Sequence, residues 1–180
     1  MAVKKKKIQS QESGQRLAMT DHHRLRAAEG WLGLGDNVEA ARELKEIAPE
    51  HQSHPAVLEV RWRIHSQRQD WNACMDIACA MTTIAPNDAA GWIQLAYAMR
   101  RTDGGTVQMA RDTLDAVVAK FPREPVIYYN LACYHCQLGD LTRALESLKR
   151  AFSVGDAAQM KLMALEEPDL EPLQQQILEL

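Results

Sequence analysis

Four sets of positions recur along the chain at a nearly constant step, and a step of that size leaves few folds open. Arg24, Leu58, Trp92 and Tyr128 form one set, and Ala28, Trp62, Ala96 and Ala132 a second; both advance by 34, 34 and 36 residues. Ala40, Cys74, Ala110 and Ala144 form a third, and Leu44, Ala78, Leu114 and Leu148 a fourth, both advancing by 34, 36 and 34. One insertion of two residues between Ala96 and Ala110 accounts for all four sets. Thr102-Asp103-Gly104-Gly105 supplies a turn there that absorbs extra length.

Within each unit the apolar residues follow a helical period. Val, Ile and Thr do not gather into the alternating runs of strands. The chain is therefore expected to be all-α, each unit holding a helix A, a short turn and a helix B. The turns fall at Gly35-Asp36, Gln69-Asp70, Asp103 to Thr106 and Gly139-Asp140, and Pro49, Pro86 and Pro122 mark the ends of three B helices.

Trp92-x2-Leu95-Ala96, Ala110-x3-Leu114 and Pro122 resemble the tetratricopeptide pattern, as do Tyr128-x2-Leu131-Ala132, Gly139-Asp140 and Ala144-x3-Leu148. The resemblance runs from about Asp21 to Gly155. It is strongest in the last two units and thinnest in the first, where Arg24 stands at an aromatic position and Pro49 arrives early. It implies a right-handed superhelical solenoid of about four helix-turn-helix units, at about 21–54, 55–88, 89–124 and 125–155, with a C-terminal capping segment over 156–180. Glu167-Pro168-Asp169-Leu170-Glu171-Pro172-Leu173 is similar to the tail of some bacterial proteins of this class.

In the second unit Trp62 occupies a position where a small residue normally lets helices A and B approach. The facing positions hold Cys74 and Ala78, so volume moved across the interface rather than being added. At the end of the stack, Asp156 is expected to start a helix to about Glu166, with Met160, Met163 and Ala164 turned onto the last unit. Leu170, Leu173, Ile177, Leu178 and Leu180 form a second apolar stripe, expected to fold back onto the stack or, alternatively, to stay exposed as a contact surface.

Projecting each A helix at about 100° per residue separates the repeat-defining positions from a face that helix B leaves uncovered. Stacking would line that face along one concave groove. It carries His22, Arg26 and Glu29 in the first unit, and Glu59, Arg63, Ser66 and Gln67 in the second. The third contributes Ile93, Gln94, Tyr97, Arg100 and Arg101, and the fourth Tyr129, Asn130, Cys133, Cys136 and Gln137.

Charge then says what such a groove would take. The net charge is −3, but Met1 to Gln15 carries Lys4 to Lys7 against Glu12 alone, which leaves an acidic body of −6. Four groove arginines face two glutamates, so the groove is locally positive on an acidic protein. An acidic peptide or a free C-terminal carboxylate fits it. The same acidic body would repel a phosphate backbone, so no nucleic-acid partner is expected outside the tail, and the tail reads as a disordered basic segment. The carboxylate clamp of chaperone-binding members of the family is not reproduced. Glu59 stands at its lysine position, Arg63 and Gln94 at its two asparagines, and Val126 and Asn130 at its last basic pair.

Chemistry at other sites is not expected. Cys133 and Cys136 share a helical face, but His135 falls at a repeat-core position, and Cys74 and Cys79 lack the spacing of a zinc knuckle. The cysteines read as small apolar residues. Asp21 reads as a helix start, and His22, His23, His51 and His54 as solvated polar residues. Gly33-Leu34-Gly35 lacks the third glycine of a dinucleotide loop and follows a helix, so it reads as a helix-ending turn. No metal, cofactor or catalytic step is expected, a metal or thiol enzyme being the distant alternative. No apolar window approaches the ~18 residues of a membrane-spanning helix, and Ile8 leads straight into polar residues, so a cytoplasmic protein is expected with no membrane partner. The chain is thus expected to bind a protein or peptide. The alternative is self-assembly into a homo-oligomer through the terminal stripes.

Overall fold

The computed structural model describes residues 16–180; the Lys4 to Lys7 run lies outside them. Among the described residues the chain is all-α, with no strand. The helices are α1 (Met19–Gly33), α2 (Asn37–Lys45), α3 (Pro55–Gln67), α4 (Trp71–Ile84), α5 (Ala89–Met99), α6 (Val107–Asp115), α7 (Pro125–Gln137), α8 (Leu141–Val154), α9 (Ala157–Glu166) and α10 (Gln174–Glu179). Short 3-10 segments lie at Pro49–His51, Val118–Lys120 and Pro168–Leu173. The chain divides into two compact units, Met1–Ile84 and Ala85–Leu180. Successive helices pair as antiparallel hairpins, α1 with α2 and α3 with α4 in the first unit, α5 with α6 and α7 with α8 in the second.

Most of the recurring positions form the interiors of these hairpins. Ala28, Ala40, Cys74, Ala78, Ala96, Ala110, Leu114, Ala132, Ala144 and Leu148 are completely buried. Small side chains at most of them let the two helix axes approach, while Leu44, Leu114 and Leu148 fill the space that remains. In the α3–α4 hairpin the helices approach closely: the Cys74 thiol lies 3.7 Å from the Trp62 backbone carbonyl oxygen, with Ala78 fully buried one turn further on.

Three of the turns are closed by the same device. The Gly35 N–H donates to the Leu32 carbonyl (3.0 Å) and the Asp36 N–H to Trp31 (2.9 Å). The pattern repeats from Gln69 to Ser66 (3.0 Å) and Asp70 to His65 (3.0 Å), and from Gly139 to Cys136 (3.0 Å) and Asp140 to His135 (2.9 Å). These paired bonds satisfy carbonyls that the end of helix A would otherwise leave open, and they require one left-handed residue. Gly35 (φ 80°) and Gly139 (φ 82°) meet that demand without strain; Gln69 (φ 57°) meets it at a cost. Each aspartate then turns round to cap helix B. Asp36 accepts from the Val38 and Glu39 amides, Asp70 from Ala73 and Asp140 from Arg143. One residue thus ends a helix and starts the next, which is why the turn is so short.

The third turn holds the insertion. Thr106 takes over the capping role, accepting from the Met109 amide at 3.1 Å. The added residues fold back tightly enough that a β-carbon on Gly105 would sit 1.8 Å from the Met99 carbonyl oxygen. Glycine is therefore required there for close approach, whereas Gly104 is required for its φ of 73°.

Aromatic residues at the head of helix A tie it to the preceding link. The Trp92 indole N–H donates to the Pro86 carbonyl (3.1 Å) and the Tyr128 hydroxyl to the Pro122 carbonyl (3.4 Å). Lys120 and Arg150 reach the same two oxygens. Arg24, at the equivalent position of the first hairpin, instead makes a 2.8 Å ion pair with Glu43 on α2. A charge bridge between helices replaces the aromatic anchor.

Candidate protein-interaction surface

Helix α1 buries one side only, through Asp21, Leu25, Ala28 and Leu32. Its other face is open: Arg26 is 73% exposed and lies 4.0 Å from Glu29, a separation too long to fix either side chain. On α3 the corresponding face presents exposed Arg63 and Gln67 beside half-buried Glu59. These four expected site residues, Arg26, Glu59, Arg63 and Gln67, lie on the open side of the first unit, where helix B does not cover them.

The second unit treats the same positions differently. On α7 the residues from Leu131 to Cys136 are buried without interruption, together with Ile127 and Tyr129. Tyr129 is 7% exposed and Cys133 4%, so the expectation that they face open water is corrected. What covers them is the chain's own C-terminal segment. The 3-10 segment Pro168–Leu173 packs on α7, and Leu170, Leu173 and Ile177 are fully buried. Each contributes about 1.5–3 kcal/mol of apolar transfer. The apolar stripe therefore folds back in part, because Leu178 and Leu180 remain exposed. On α9, Met160 and Ala164 pack inward as expected, while Met163 is half exposed and points away from the core.

A polar tie fixes this segment. Arg100, at the end of α5, donates to Asp169 at 2.7 Å and to the Gln137 side-chain oxygen at 3.2 Å. The Gln137 amide donates to the other Asp169 oxygen. Arg100 and Asp169 are both largely shielded from water, their side chains 16% and 17% exposed. Partial burial makes the pair stronger than the solvated ion pairs elsewhere on the surface. Arg101 stacks over the Tyr97 ring at 3.5 Å and donates to the Tyr97 carbonyl, while Gln94 and Asn130 are half-buried beside this site. The sequence pattern puts Arg100, Arg101, Tyr97, Asn130, Cys133 and Gln137 on one face, and the structure brings them together. Asp169 escaped that pattern, although an acidic segment following an arginine-bearing face was the available signal.

A second missed pair lies in the first unit. Asp21 does not cap α1, whose N-cap is Ala18; it is the third residue of the helix and 4% exposed. Its carboxylate holds His51 Nδ1 at 2.6 Å and accepts from the Ala48 amide at 3.2 Å. The hydrogen bond to His51 holds the Asp21 carboxyl below the usual carboxylate range, against the opposing effect of burial. His51 is accordingly a structural partner rather than a solvated residue, and His54 caps α3 by accepting from Ala56. His22 and His23 are exposed as expected.

The cysteines are free thiols, of which Cys79 alone is exposed. None of the four is in a disulfide, and Cys74, Cys133 and Cys136 are buried. Burial, and then the nearby Asp70, pushes the Cys74 thiol up to about 11. Burial raises Cys133 further, assisted by Glu167 and Asp169. A thiolate nucleophile needs the opposite shift. His135 is buried at its repeat-core position, and burial lowers its pKa. Among the described residues no three His, Cys, Asp or Glu side chains are grouped to hold a metal ion, and no helix is long and apolar enough to cross a membrane.

Comparison with solved structures places this architecture. The chain superposes on TTC0263, a thermophilic TPR protein of Thermus thermophilus, with a TM-score of 0.66 at 18% identity, covering 89% of this chain and 100% of that one. It superposes on MamA MSR-1 C2 with a TM-score of 0.59 at 16% identity, covering 75% and 76% of the two chains. A MamA mutant gives 0.56 at 17% identity over 73% and 76%. The chain therefore has the tetratricopeptide-repeat fold. No protein-family model matches it, and no curated protein does.

Proposed function

We propose that the protein is a cytoplasmic adaptor that holds an extended segment of a partner protein against the open faces of its A helices, and that it catalyses no reaction. The observation that carries this is the contrast in the first unit between a core consumed by hairpin packing and a face that keeps Arg26 and Arg63 in water. Helical hairpins satisfy their backbone internally, so such a face is available for side-chain recognition. The guanidiniums favour an acidic segment or a C-terminal carboxylate, because forked donors match carboxylate oxygens. Unpaired thiols in buried positions suit a reducing compartment.

The test is capture of a partner from the source organism, identified by mass spectrometry, followed by its affinity for wild type and for an Arg26→Ala/Arg63→Ala variant. The variant is expected to bind at least tenfold more weakly and with a flatter salt dependence. Equal affinity for both proteins overturns the assignment.

A second reading, self-assembly, is supported by Leu162 (66%), Met163 (49%) and Leu178 (63%), exposed on the adjoining helices α9 and α10, and by Leu180 (44%) just beyond them. Light scattering is then expected to show a concentration-dependent dimer that a Leu162→Glu/Leu178→Glu variant does not form; a wild type that stays monomeric at high concentration removes it.

A further inference from the structure

The segment seated on α7, and tied to Arg100 at the end of α5, has the chemistry that the A-helix faces were expected to receive from a partner. It is acidic, through Glu167, Asp169 and Glu171, and it places Leu170 and Leu173 one and four residues after the anchoring aspartate. Asp169 meets Arg100 and Gln137, and the two leucines bury completely in the apolar surface beside them. Pro168 and Pro172 keep the segment from continuing as a regular α-helix, so it crosses α7 as a 3-10 turn.

The seat is not filled to completion. A cavity of about 100 Å³ remains among Tyr97, Arg101, Asn130, Cys133, Tyr134 and Glu167. Tyr134, which lines it, is 1% exposed, and its hydroxyl has no hydrogen-bond partner. Buried hydroxyls are normally paired, and an unpaired one marks a contact that a better-fitting group would improve. From the seated segment the gap is lined by Glu167 and Asp169, and neither pairs with the Tyr134 hydroxyl.

We infer that residues 167–173 are a tethered occupant of a peptide site formed by α5 and α7, and that a partner segment with an acidic residue followed by leucines at +1 and +4 displaces them. The inference rests on the reading that A-helix faces receive extended segments, and adds the site, the sequence chemistry it selects and its control. A tether holds the occupant at an effective concentration of about millimolar, so the site is closed by default. A competing segment sees its apparent affinity reduced by the fraction of molecules in which the site is open. Removing Asp169 weakens the tether's polar anchor and raises the fraction of molecules in which the site is open, without altering a residue of α5 or α7.

The experiment uses the full chain and a fluorescein-labelled synthetic peptide with the sequence Glu166 to Leu180, read by anisotropy. Wild type is expected to bind it weakly. Asp169→Ala is expected to bind it at least tenfold more tightly, because the peptide still carries the aspartate that the tether has lost. Adding Arg100→Ala is expected to cancel that gain, and a peptide with serine at both leucine positions is expected not to bind. Hydrogen exchange of residues 167–177 reports the opening directly, and circular dichroism confirms that the variants stay helical.

Equal binding by wild type and Asp169→Ala, with the tail exchanging as slowly as Leu131 to Cys136 in both, overturns the inference and leaves the segment a fixed cap. The same follows if Asp169→Asn, the closest isostere, exposes the tail and still binds no peptide. A concentration-dependent dimer of Asp169→Ala that the peptide dissolves assigns the site to a second copy of this chain and overturns the partner assignment. In each case partner capture through Arg26 and Arg63 is measured separately, so the tail site falls without the reading it rests on.

Discussion

The two compact units use the same repeat and finish it in opposite ways. In the first, links and helix ends are held by polar side chains: Asp21 with His51, Arg24 with Glu43, and Gln52, which donates to the Leu44 and Ile47 carbonyls and accepts from Arg61. In the second, Trp92 and Tyr128 anchor on proline carbonyls, and eighteen buried residues from Ala96 to Ile177 form one apolar cluster. The faces differ correspondingly. At repeat position nine the second hairpin exposes Arg63 and the fourth buries Cys133; at position five Glu59 is half-buried and Tyr129 buried. The hairpin interior is dictated by how closely two helices must approach. The outer face is not, so it diverges into an open charged surface in one unit and a covered apolar one in the other.

The sharpest way to break this contrast is to remove the cover. Leu170→Ala is expected to destabilise the second unit by about 3 kcal/mol, since a fully buried leucine is lost from its apolar cluster. Urea unfolding followed by hydrogen exchange is expected to place the loss in residues 85–180 and leave the first unit unchanged; a loss spread equally over both would mean the units do not unfold separately.

In the first unit the largest expected effect comes from overfilling the hairpin that Trp62 already crowds. Ala78→Leu restores the residue type found at Leu44, Leu114 and Leu148, yet it is expected to cost about 2 kcal/mol because Trp62 has taken that volume. An unchanged melting temperature would show that the two helices separate at no cost.

Acid is expected to act on the first unit through Asp21 and Asp70. Each carboxyl is held below its usual range, first by its hydrogen bond to His51 or His65. Groups depressed in the folded state stabilise it above the unfolded carboxylate pKa of about 4 and lose that contribution as pH falls through the folded value. Exchange of the Ala48 amide, which donates to Asp21, is thus expected to accelerate relative to its intrinsic rate on acidification below about pH 4 in wild type. In Asp21→Asn that acceleration is expected to disappear, and its persistence would place the acid sensitivity elsewhere.

The smallest expected change is a gain. Gln69 holds φ at 57° in a turn whose counterparts are Gly35 and Gly139. Gln69→Gly is expected to raise stability by about 0.5–1 kcal/mol, the left-handed strain relieved less the entropy that glycine adds to the unfolded chain. A loss in the melting temperature would mean that the side chain supports the turn in some other way.

Much of this is legible in the sequence. The 34-residue step located the hairpins, most of the buried positions and the four turns, because helix-to-helix approach admits only small residues at fixed intervals. The covered face of α7 was legible in part: Ile127 to Cys136 is apolar nearly all round, the mark of a helix enclosed on every side. Repeat position alone hides that mark. Asp21 was read by its place at the head of a helix, and its true partner lies thirty residues away in the link after α2.

By itself, then, the sequence determined the periodic part of the protein: helix, turn, helix, and which residues meet inside each pair. Those choices follow from local hydrogen bonding and from a spacing that repeats, and both are written in neighbouring residues. Only the tertiary structure decided which face stays in water, that Arg100 is held by Asp169 sixty-nine residues on, and that Gly105 lies against the Met99 carbonyl. Such contacts occur once, so no period announces them, and their energy depends on the burial and geometry reached when the chain has closed on itself.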